Sequence, residues 1–310
     1  MYYQRYDNGH FSRSIRAGIM SSFRHGSSLI RLIYINSGLF LLLKAGYVIL
    51  SLAGQGDVFY PTILEWIGIP ADPEYLLYRP WTVLTYMFTQ FEFLHLLFNM
   101  LWLYWFGSIF LNHFTERQLT GVYLLGGIAG AFLYVLSYNI FPYFDRITRL
   151  SSWAIGSSAS VMAIVFAVCT YLPHHQVSIF PKGHVKLIYL ALFTALIDLL
   201  SIQSGNAGGH IAHLGGALFG CLFIICIKHN KDITSGIFYS GERLKRLFSR
   251  RKTIRVKYKK KVSEMNDREY NAYKKRQDTR INDILDKISR AGYESLTREE
   301  KEVLFKSGRK

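Results

Sequence analysis

Apolar residues along the first 230 positions are collected into blocks, which shorter polar, glycine- or proline-containing segments separate. Each block is about 20 residues long, the length at which an α-helix crosses the hydrocarbon core of a bilayer. Lipid offers the backbone no hydrogen-bond partners, so continuous apolar blocks of this length favour helices. The pattern predicts an all-α polytopic membrane protein, a bundle of six spanning helices at about 29–52, 93–111, 119–138, 153–172, 185–202 and 210–227.

The segment at 53–80, between the first and second predicted helices, is long for a connection in a membrane domain. It holds four of the seven prolines, interleaved with aromatic residues that suit the headgroup level of a membrane. We interpret it as an interfacial loop, followed by an entry segment that runs from Trp81 to about Glu92.

Positive charge is concentrated at the C-terminal end. The net charge is +16, and residues 231–310 contribute +12 of it, with 24 Lys and Arg against 12 Asp and Glu. Lys and Arg also predominate in the loops that six spans would place beside the two termini. The positive-inside rule therefore predicts a multi-pass protein of the plasma (inner) membrane with both termini in the cytoplasm.

Two further patterns narrow the class of protein. The first 28 residues contain no apolar run, so a cleavable signal peptide is not expected. All three cysteines lie in apolar segments, which indicates neither a disulfide framework nor a zinc site.

The chain divides into a basic cytoplasmic arm, a membrane domain, a basic linker and a small helical module, at 1–28, 29–228, 229–278 and 279–310.

The C-terminal parts carry two different signals. Lys and Arg clusters at 243–252 and 257–261 favour anionic lipid headgroups as a partner. No nucleic-acid-binding motif accompanies them, so nucleic acid is not expected. Helical spacing of apolar residues up to Gly292, then a capping box from Thr297 to Glu300, predicts a helical hairpin. We interpret this hairpin as a module that binds a cytoplasmic protein.

A run of small residues at 154–163 opens the fourth predicted helix and includes Ser157, Ser158 and Ser160. Small residues allow helices to approach closely in a membrane, which explains the run without any chemistry. The alternative is that one serine is a nucleophile. Taken alone, the run favours close packing.

Polar side chains at membrane depth are costly, and they commonly face a cavity or one another. His95 and Asn99 are four residues apart on one face of the second predicted helix. His210 and His213 open the sixth, and the predicted orientation places both His213 and Ser158 near the outer membrane face. Asp198, near the outer end of the fifth helix, is interpreted as a cap or interfacial group.

Two stripes of small residues suggest how these groups meet. One stripe lies on the fourth helix and the other on the sixth, each at four-residue spacing: Ala159, Ala163 and Ala167, and Gly208, Ala212, Gly216 and Gly220. Packing the stripes together would bring Ser158 beside His213.

A serine hydroxyl becomes a useful nucleophile when a neighbouring base accepts its proton, and histidine suits that role near neutral pH. His213 is the expected base, with His210 as the alternative. No carboxylate is expected to orient His213, so a Ser–His dyad is favoured over a triad. His95, Asn99 and the backbone N–H of Ser158 are expected to stabilise an oxyanion. Neither a metal nor another cofactor is expected.

The chain resembles the rhomboid intramembrane serine proteases over about 79–227. The resemblance rests on three motifs in order, His95-Leu-Leu-Phe-Asn99, Gly156-Ser157-Ser158-Ala159 and Ala212-His213-Leu214-Gly215-Gly216, and on the Arg79-Pro80-Trp81-Thr82 segment. It implies a Ser158 nucleophile, a His213 base and an oxyanion site at His95 and Asn99. It also implies cleavage of membrane-anchored proteins within or beside a transmembrane helix, near the outer face. The C-terminal hairpin resembles a module of rhomboid-like proteins from Bacteroidetes-type bacteria.

Two positions depart from the family pattern. Ala159 follows the nucleophile where many members have glycine, and Met162 stands where many have an aromatic residue under the catalytic histidine. Methionine can fill the space under the histidine, but it offers no ring contact to orient the imidazole.

Two other functions are consistent with parts of the sequence. A rhomboid-like pseudoprotease would bind and escort transmembrane segments without cutting them, although the presence of both Ser158 and His213 argues against it. A transporter could use His95, His210 and His213 as a proton relay, but it would predict internal hydropathy repeats. No such repeat is evident.

Overall fold

The computed structural model describes residues 20–23, 26–180, 183–203, 205–237 and 265–307. The chain separates into two compact units, at 1–248 and 249–310, and each is described by itself. The basic clusters at 243–252 and 257–261 lie outside the described residues, as does most of the predicted N-terminal arm.

The first unit consists mainly of helices. In chain order they are α1 (Ser28–Leu52), α2 (Gly56–Ile67), α3 (Pro73–Tyr78), α4 (Thr82–Thr85), α5 (Phe93–Leu111), α6 (Glu116–Ile140), α7 (Arg146–Ser151), α8 (Ser158–Tyr171), α9 (Leu187–Leu200) and α10 (Ala207–Lys228). Short 3₁₀ turns follow α4 and α9, at Tyr86–Phe88 and Ser201–Gln203.

Four of these helices, α1, α5, α6 and α10, are long and apolar enough to cross a membrane. The apolar helices α8 and α9 are shorter. A multi-pass, mostly helical membrane protein is thereby confirmed, whereas six complete spans stay a prediction.

Two antiparallel strand pairs join the loops. β1 (Ile69–Pro70) pairs with β2 (Trp153–Ala154), with Ile69 opposite Ala154. β3 (Gln176–Phe180) pairs with β4 (Gly183–Lys186), between α8 and α9.

The region predicted as a loop at 53–80 is largely structured, which corrects that interpretation. Its apolar and aromatic residues form α2, β1 and α3, and Pro61 lies inside α2. The fourth predicted helix likewise begins at Ser158 instead of near Trp153, because Trp153 and Ala154 pair with β1.

Ionic and aromatic contacts hold this loop region against the segment that leads into α8. Arg149 lies 3.2 Å from the carboxylate of Asp72. The guanidinium of Arg79 lies 4.9 Å from the ring centre of Trp66 and 5.8 Å from that of Trp153. The backbone before Ser158 is therefore attached to the 53–80 region as well as to its own helix.

Helix α8 occupies the centre of the membrane unit, and nine of its side chains are buried. Buried helices are apolar on all sides, as α8 is. It packs against α10, α6 and α5. The predicted contact between the stripes on α8 and α10 is present: a Cβ on Gly216 would lie 2.0 Å from the Ala159 carbonyl oxygen, and one on Gly220 would lie 2.2 Å from that of Ala163.

Helix α6 adds a third glycine face, whose packing role the sequence analysis did not anticipate. A Cβ on Gly126 would lie 2.2 Å from the Ala163 Cβ, and one on Gly130 would lie 2.6 Å from the Ala159 Cβ. Helices α6, α8 and α10 therefore touch backbone to backbone, the geometry that small residues permit in membranes.

Helix α9 is the least buried of the apolar helices beside the site. Its buried residues are Leu187, Ala191 and Asp198. A carboxylate is thus one of the few side chains through which α9 packs on its neighbours.

The second unit contains α11 (Asp267–Ala291), a 3₁₀ turn at Tyr293–Ser295 and α12 (Arg298–Ser307). Gly292 follows α11 with φ +78°, and Thr297 and Glu300 form the predicted capping box. Helix α11 begins at Asp267, before the position 279 at which the sequence pattern placed the start of the module.

Candidate active site

Ser158 is the first residue of α8 and faces a cavity of about 160 Å³. The cavity is lined by residues from α5, α8, α9 and α10: Phe98, Asn99, Trp102, Ser158, Val161, Met162, Thr194 and His213. Three predicted site residues, Ser158, His213 and Asn99, therefore meet at one cavity, together with Met162.

The turn before Ser158 depends on Gly156, which has φ +133°. Its N–H donates to the Tyr86 carbonyl oxygen at 2.9 Å, which anchors the turn to the 3₁₀ segment before α5. A Cβ at this position would lie 3.1 Å from His95 Cε1 and 3.5 Å from Ser158 Oγ. Gly156 thus allows the backbone to lie directly beside both the imidazole of His95 and the hydroxyl of Ser158.

Helix α8 begins at Ser158, so the residue four positions earlier lies outside the helix. The N–H of Ser158 therefore has no intrahelical carbonyl to which it can donate. The first hydrogen bond of the helical i to i−4 pattern is donated by the Val161 N–H to the Ser157 carbonyl oxygen. The start of α8 therefore leaves a backbone donor and the positive end of the helix dipole beside the cavity.

The three serines of the run have different surroundings. Ser157 is fully buried, and its hydroxyl accepts a hydrogen bond from Gln90 Nε2 at 3.0 Å. Ser160 is also fully buried, and its oxygen lies close to where a Gly127 Cβ would be. Ser158 is the serine that lines the cavity.

Asn99 belongs to a buried polar network that the motif analysis missed. Its Nδ2 donates to Gln90 Oε1 at 3.0 Å, and Gln90 in turn donates to Ser157. Asn36 Nδ2 donates to the Tyr123 hydroxyl at 3.0 Å and lies beside Gln90. The network holds the Asn99 side chain and the turn before Ser158 in fixed relation.

Gln90 carries a weak sequence signal, because it is the one amide of an entry segment that also contains three threonines and Glu92. It is 1% exposed, so its amide must be satisfied within the protein. Sequence reasoning could have noted the amide, but not its three partners from different parts of the chain.

His213 lies on α10, and its Nδ1 is 2.9 Å from Asp198 Oδ1. His210, one turn earlier, places its own Nδ1 2.8 Å from the same oxygen. The expectation that no carboxylate is placed to orient His213 is therefore wrong, and Asp198, interpreted from the sequence as a cap or interfacial group, is buried against two histidines. This contact joins α9 to the next helix, α10, and the spacing of residues along either helix does not reveal it.

His213 and His210 differ in their access to the serine. His213 lines the cavity with Ser158, whereas His210 is not among the residues that line it. Among the described residues, no hydrogen bond joins Ser158 Oγ to either ring. The cavity thus brings together a hydroxyl, an imidazole and amide donors around space that a ligand could fill.

Asp198, His210 and His213 also have the spacing of a metal-ligand group, with their ligand atoms within 4.8 Å of one another. Both imidazole nitrogens, however, lie at direct hydrogen-bond distance from one carboxylate oxygen. These bonds satisfy the three side chains without an ion.

Two parts of the chain match known protein families, and one of them contains the cavity residues. Positions 78–230 match the Rhomboid domain family, and positions 266–307 match a family of unknown function, DUF6576. The first match contains α5 to α10 and every residue of the cavity. The second coincides with α11 and α12.

Curated relatives are similar over about half of the chain. The mitochondrial presenilin-associated rhomboid-like protein of Bos taurus is 30% identical over 149 residues, 44% of this chain and 35% of that protein. Its Homo sapiens counterpart is 28% identical with the same coverage. The rhomboid protease GlpG of Salmonella paratyphi A is 22% identical over 175 residues, 51% of this chain and 60% of that protein.

The chain spans about a third of the length of the presenilin-associated relatives. The rhomboid-domain match at 78–230 nevertheless includes the cavity and the helices that build it. This chain carries a rhomboid domain and is a member of the rhomboid family.

Proposed function

We propose that this protein is an intramembrane serine endopeptidase. Ser158 is the nucleophile, His213 is the general base, and His95, Asn99 and the Ser158 N–H stabilise the oxyanion. The observation that carries the proposal is the single cavity lined by Ser158, His213 and Asn99 from three different helices. His95 lies beside the same turn, close to Gly156.

Substrates in this proposal are membrane-anchored proteins with a transmembrane helix, cut near the outer membrane face. Support comes from the family membership and from the exposed apolar side chains along α5, which a lipid or substrate helix can contact. We further propose a plasma (inner) membrane location with cytoplasmic termini, anionic lipid at the basic linker and a protein partner for α11 and α12.

Reconstitution into liposomes with a single-span reporter substrate tests the activity. The unmodified protein should cleave the reporter, and Ser158→Ala should abolish cleavage. Ser160→Ala is the matched control, because Ser160 is buried on the same helix against α6, does not line the cavity and should retain most of the activity. Equal cleavage by Ser158→Ala and the unmodified protein would refute the assignment of the nucleophile.

A fluorophosphonate probe provides an independent test. It should label Ser158, and His213→Ala should slow labelling because the hydroxyl then lacks its base. If a broad panel of substrates is bound but not cut, and the probe labels no serine, the protein is instead a pseudoprotease that escorts transmembrane segments.

A further inference from the structure

The geometry around His213 points to a role for Asp198. We propose that Asp198 is a positioning residue that holds His213 in the tautomer required by Ser158, so that the site works as an Asp–His–Ser relay instead of a dyad. This inference rests on the proposed protease function.

The hydrogen-bond geometry supplies the first argument. An ionised carboxylate only accepts hydrogen bonds, so the Nδ1 atoms of His213 and His210, at 2.9 and 2.8 Å from Asp198 Oδ1, must each carry a hydrogen. A neutral His213 ring then has its lone pair on Nε2. That nitrogen is the one available to accept the Ser158 proton.

Burial supplies the second argument. Asp198 is 5% exposed, and a buried carboxylate is costly unless it is paired and hydrogen-bonded. The two histidines of α10 provide that pairing. Removing either the carboxylate or both rings would leave polar groups without a partner at the packed face of α9.

The position of Asp198 within its helix supplies the third argument. Helix α9 ends at Leu200, so Asp198 lies in the last turn, where the helix dipole disfavours negative charge. A capping role would favour a cation there. The site therefore retains a carboxylate where local helix energetics oppose it, which is consistent with a role in the contact to His213.

The relay leaves the chemistry of the serine unchanged. Ser158 Oγ forms a bond to the substrate carbonyl carbon, its proton passes to His213 Nε2, and the carbonyl electron pair moves to the oxyanion. His213 then returns the proton to the leaving amine as the C–N bond breaks. Water repeats the sequence on the acyl-enzyme, and Asp198 stays ionised beside the imidazolium throughout.

The main test is Asp198→Asn, assayed in liposomes with the reporter substrate. We expect kcat to fall at least about tenfold with KM little changed, because the amide can hold the ring in the wrong tautomer. Asp198→Glu keeps the carboxylate and should restore part of the lost kcat. Leu199→Ala, at the adjacent lipid-exposed position, is the control for disturbance of α9 and should leave kcat unchanged.

The second histidine at Asp198 Oδ1 supplies a further comparison. His210→Gln should lose less activity than Asp198→Asn; a complete loss would identify His210 as the base instead.

Two measurements separate the failure of this inference from failure of the protease proposal. An active protein whose kcat is unaffected by Asp198→Asn would refute the relay but not the protease. Nitrogen-15 NMR of labelled histidines requires no proteolysis and should find His213 with hydrogen on Nδ1, a state lost in Asp198→Asn. Hydrogen on Nε2 of His213 in the unmodified protein would refute the relay whether or not the protein cleaves a substrate.

Discussion

At the residue scale, the roles of neighbouring serines are separated by what each hydroxyl contacts. Ser157 is held by Gln90, Ser160 is enclosed against α6, and Ser158 alone of the three lines the cavity. A shift of the helix start by one residue would exchange these environments. The turn at Gly156 therefore determines which hydroxyl faces the cavity.

Gly156→Ala should reduce activity strongly. A non-glycine residue at φ +133° costs about 1–3 kcal/mol in strain, and the added Cβ would press on His95. Cleavage of the reporter and thermal unfolding should be measured together. Gly54→Ala is the control, because Gly54 also has positive φ, +75°, but open space around it. Gly54→Ala should lose some stability and keep its activity, and equal activity losses in both variants would contradict this account.

Gln90→Leu should destabilise the protein and lower kcat. It would remove the partner of Asn99 Nδ2 and the donor to Ser157, and an unsatisfied buried polar group costs about 1–3 kcal/mol. Denaturant unfolding and reporter cleavage measure the two effects. Gln203→Leu makes the same replacement at an exposed position after α9 and should have little effect on either. A stable, fully active Gln90→Leu would show that the network is dispensable.

At the element scale, the order of the apolar helices could be predicted because hydrophobic periodicity and length depend on local sequence. The beginning of α8 could not, because Trp153 and Ala154 pair with β1, more than eighty residues earlier in the chain. The same holds for the site. Ser158, His213 and Asn99 were found through motifs, whereas the contact of Asp198 with both histidines depends on how α9 packs on α10.

Gly216→Ala should separate α8 from α10. The new Cβ would lie 2.0 Å from the backbone oxygen of Ala159, so the helices must move apart at a cost of about 1–3 kcal/mol. Ala159 adjoins Ser158, the proposed nucleophile, so activity should fall as well. Gly38→Ala is the control, because a Cβ on Gly38 in α1 would have no atom within 4 Å. It should be tolerated both in denaturant unfolding and in reporter cleavage. If the two variants unfold at the same denaturant concentration, close packing at Gly216 is not limiting.

At the scale of the whole molecule, the membrane unit and the C-terminal unit are stabilised in different ways. The membrane unit relies on close backbone contact among α6, α8 and α10. The C-terminal unit relies on caps and ion pairs: Lys287 Nζ lies 2.9 Å from Glu300, and this bond, with help from Thr297, lowers the pKa of Glu300 to about 2.

The C-terminal unit should therefore lose stability in acid. A carboxyl whose pKa is lower in the folded state stabilises the fold above its unfolded pKa, and this contribution is lost as the pH falls from about 4.5 towards 2. Hydrogen exchange at residues 267–307 of the full chain, corrected for intrinsic rates, should show reduced protection. Lys287→Met should weaken this dependence on pH. An unchanged dependence in that variant would assign the effect to other carboxylates.

The small volume of the site cavity has a consequence for water supply. A water molecule occupies about 30 Å³ in the liquid, so about 160 Å³ has room for on the order of five molecules before a substrate enters. A hydrolase consumes one water in each turnover, and the lipid around α5 and α9 supplies none. In the proposed protease, refilling this small reservoir from the aqueous rim is a step that can limit the rate of acyl-enzyme hydrolysis.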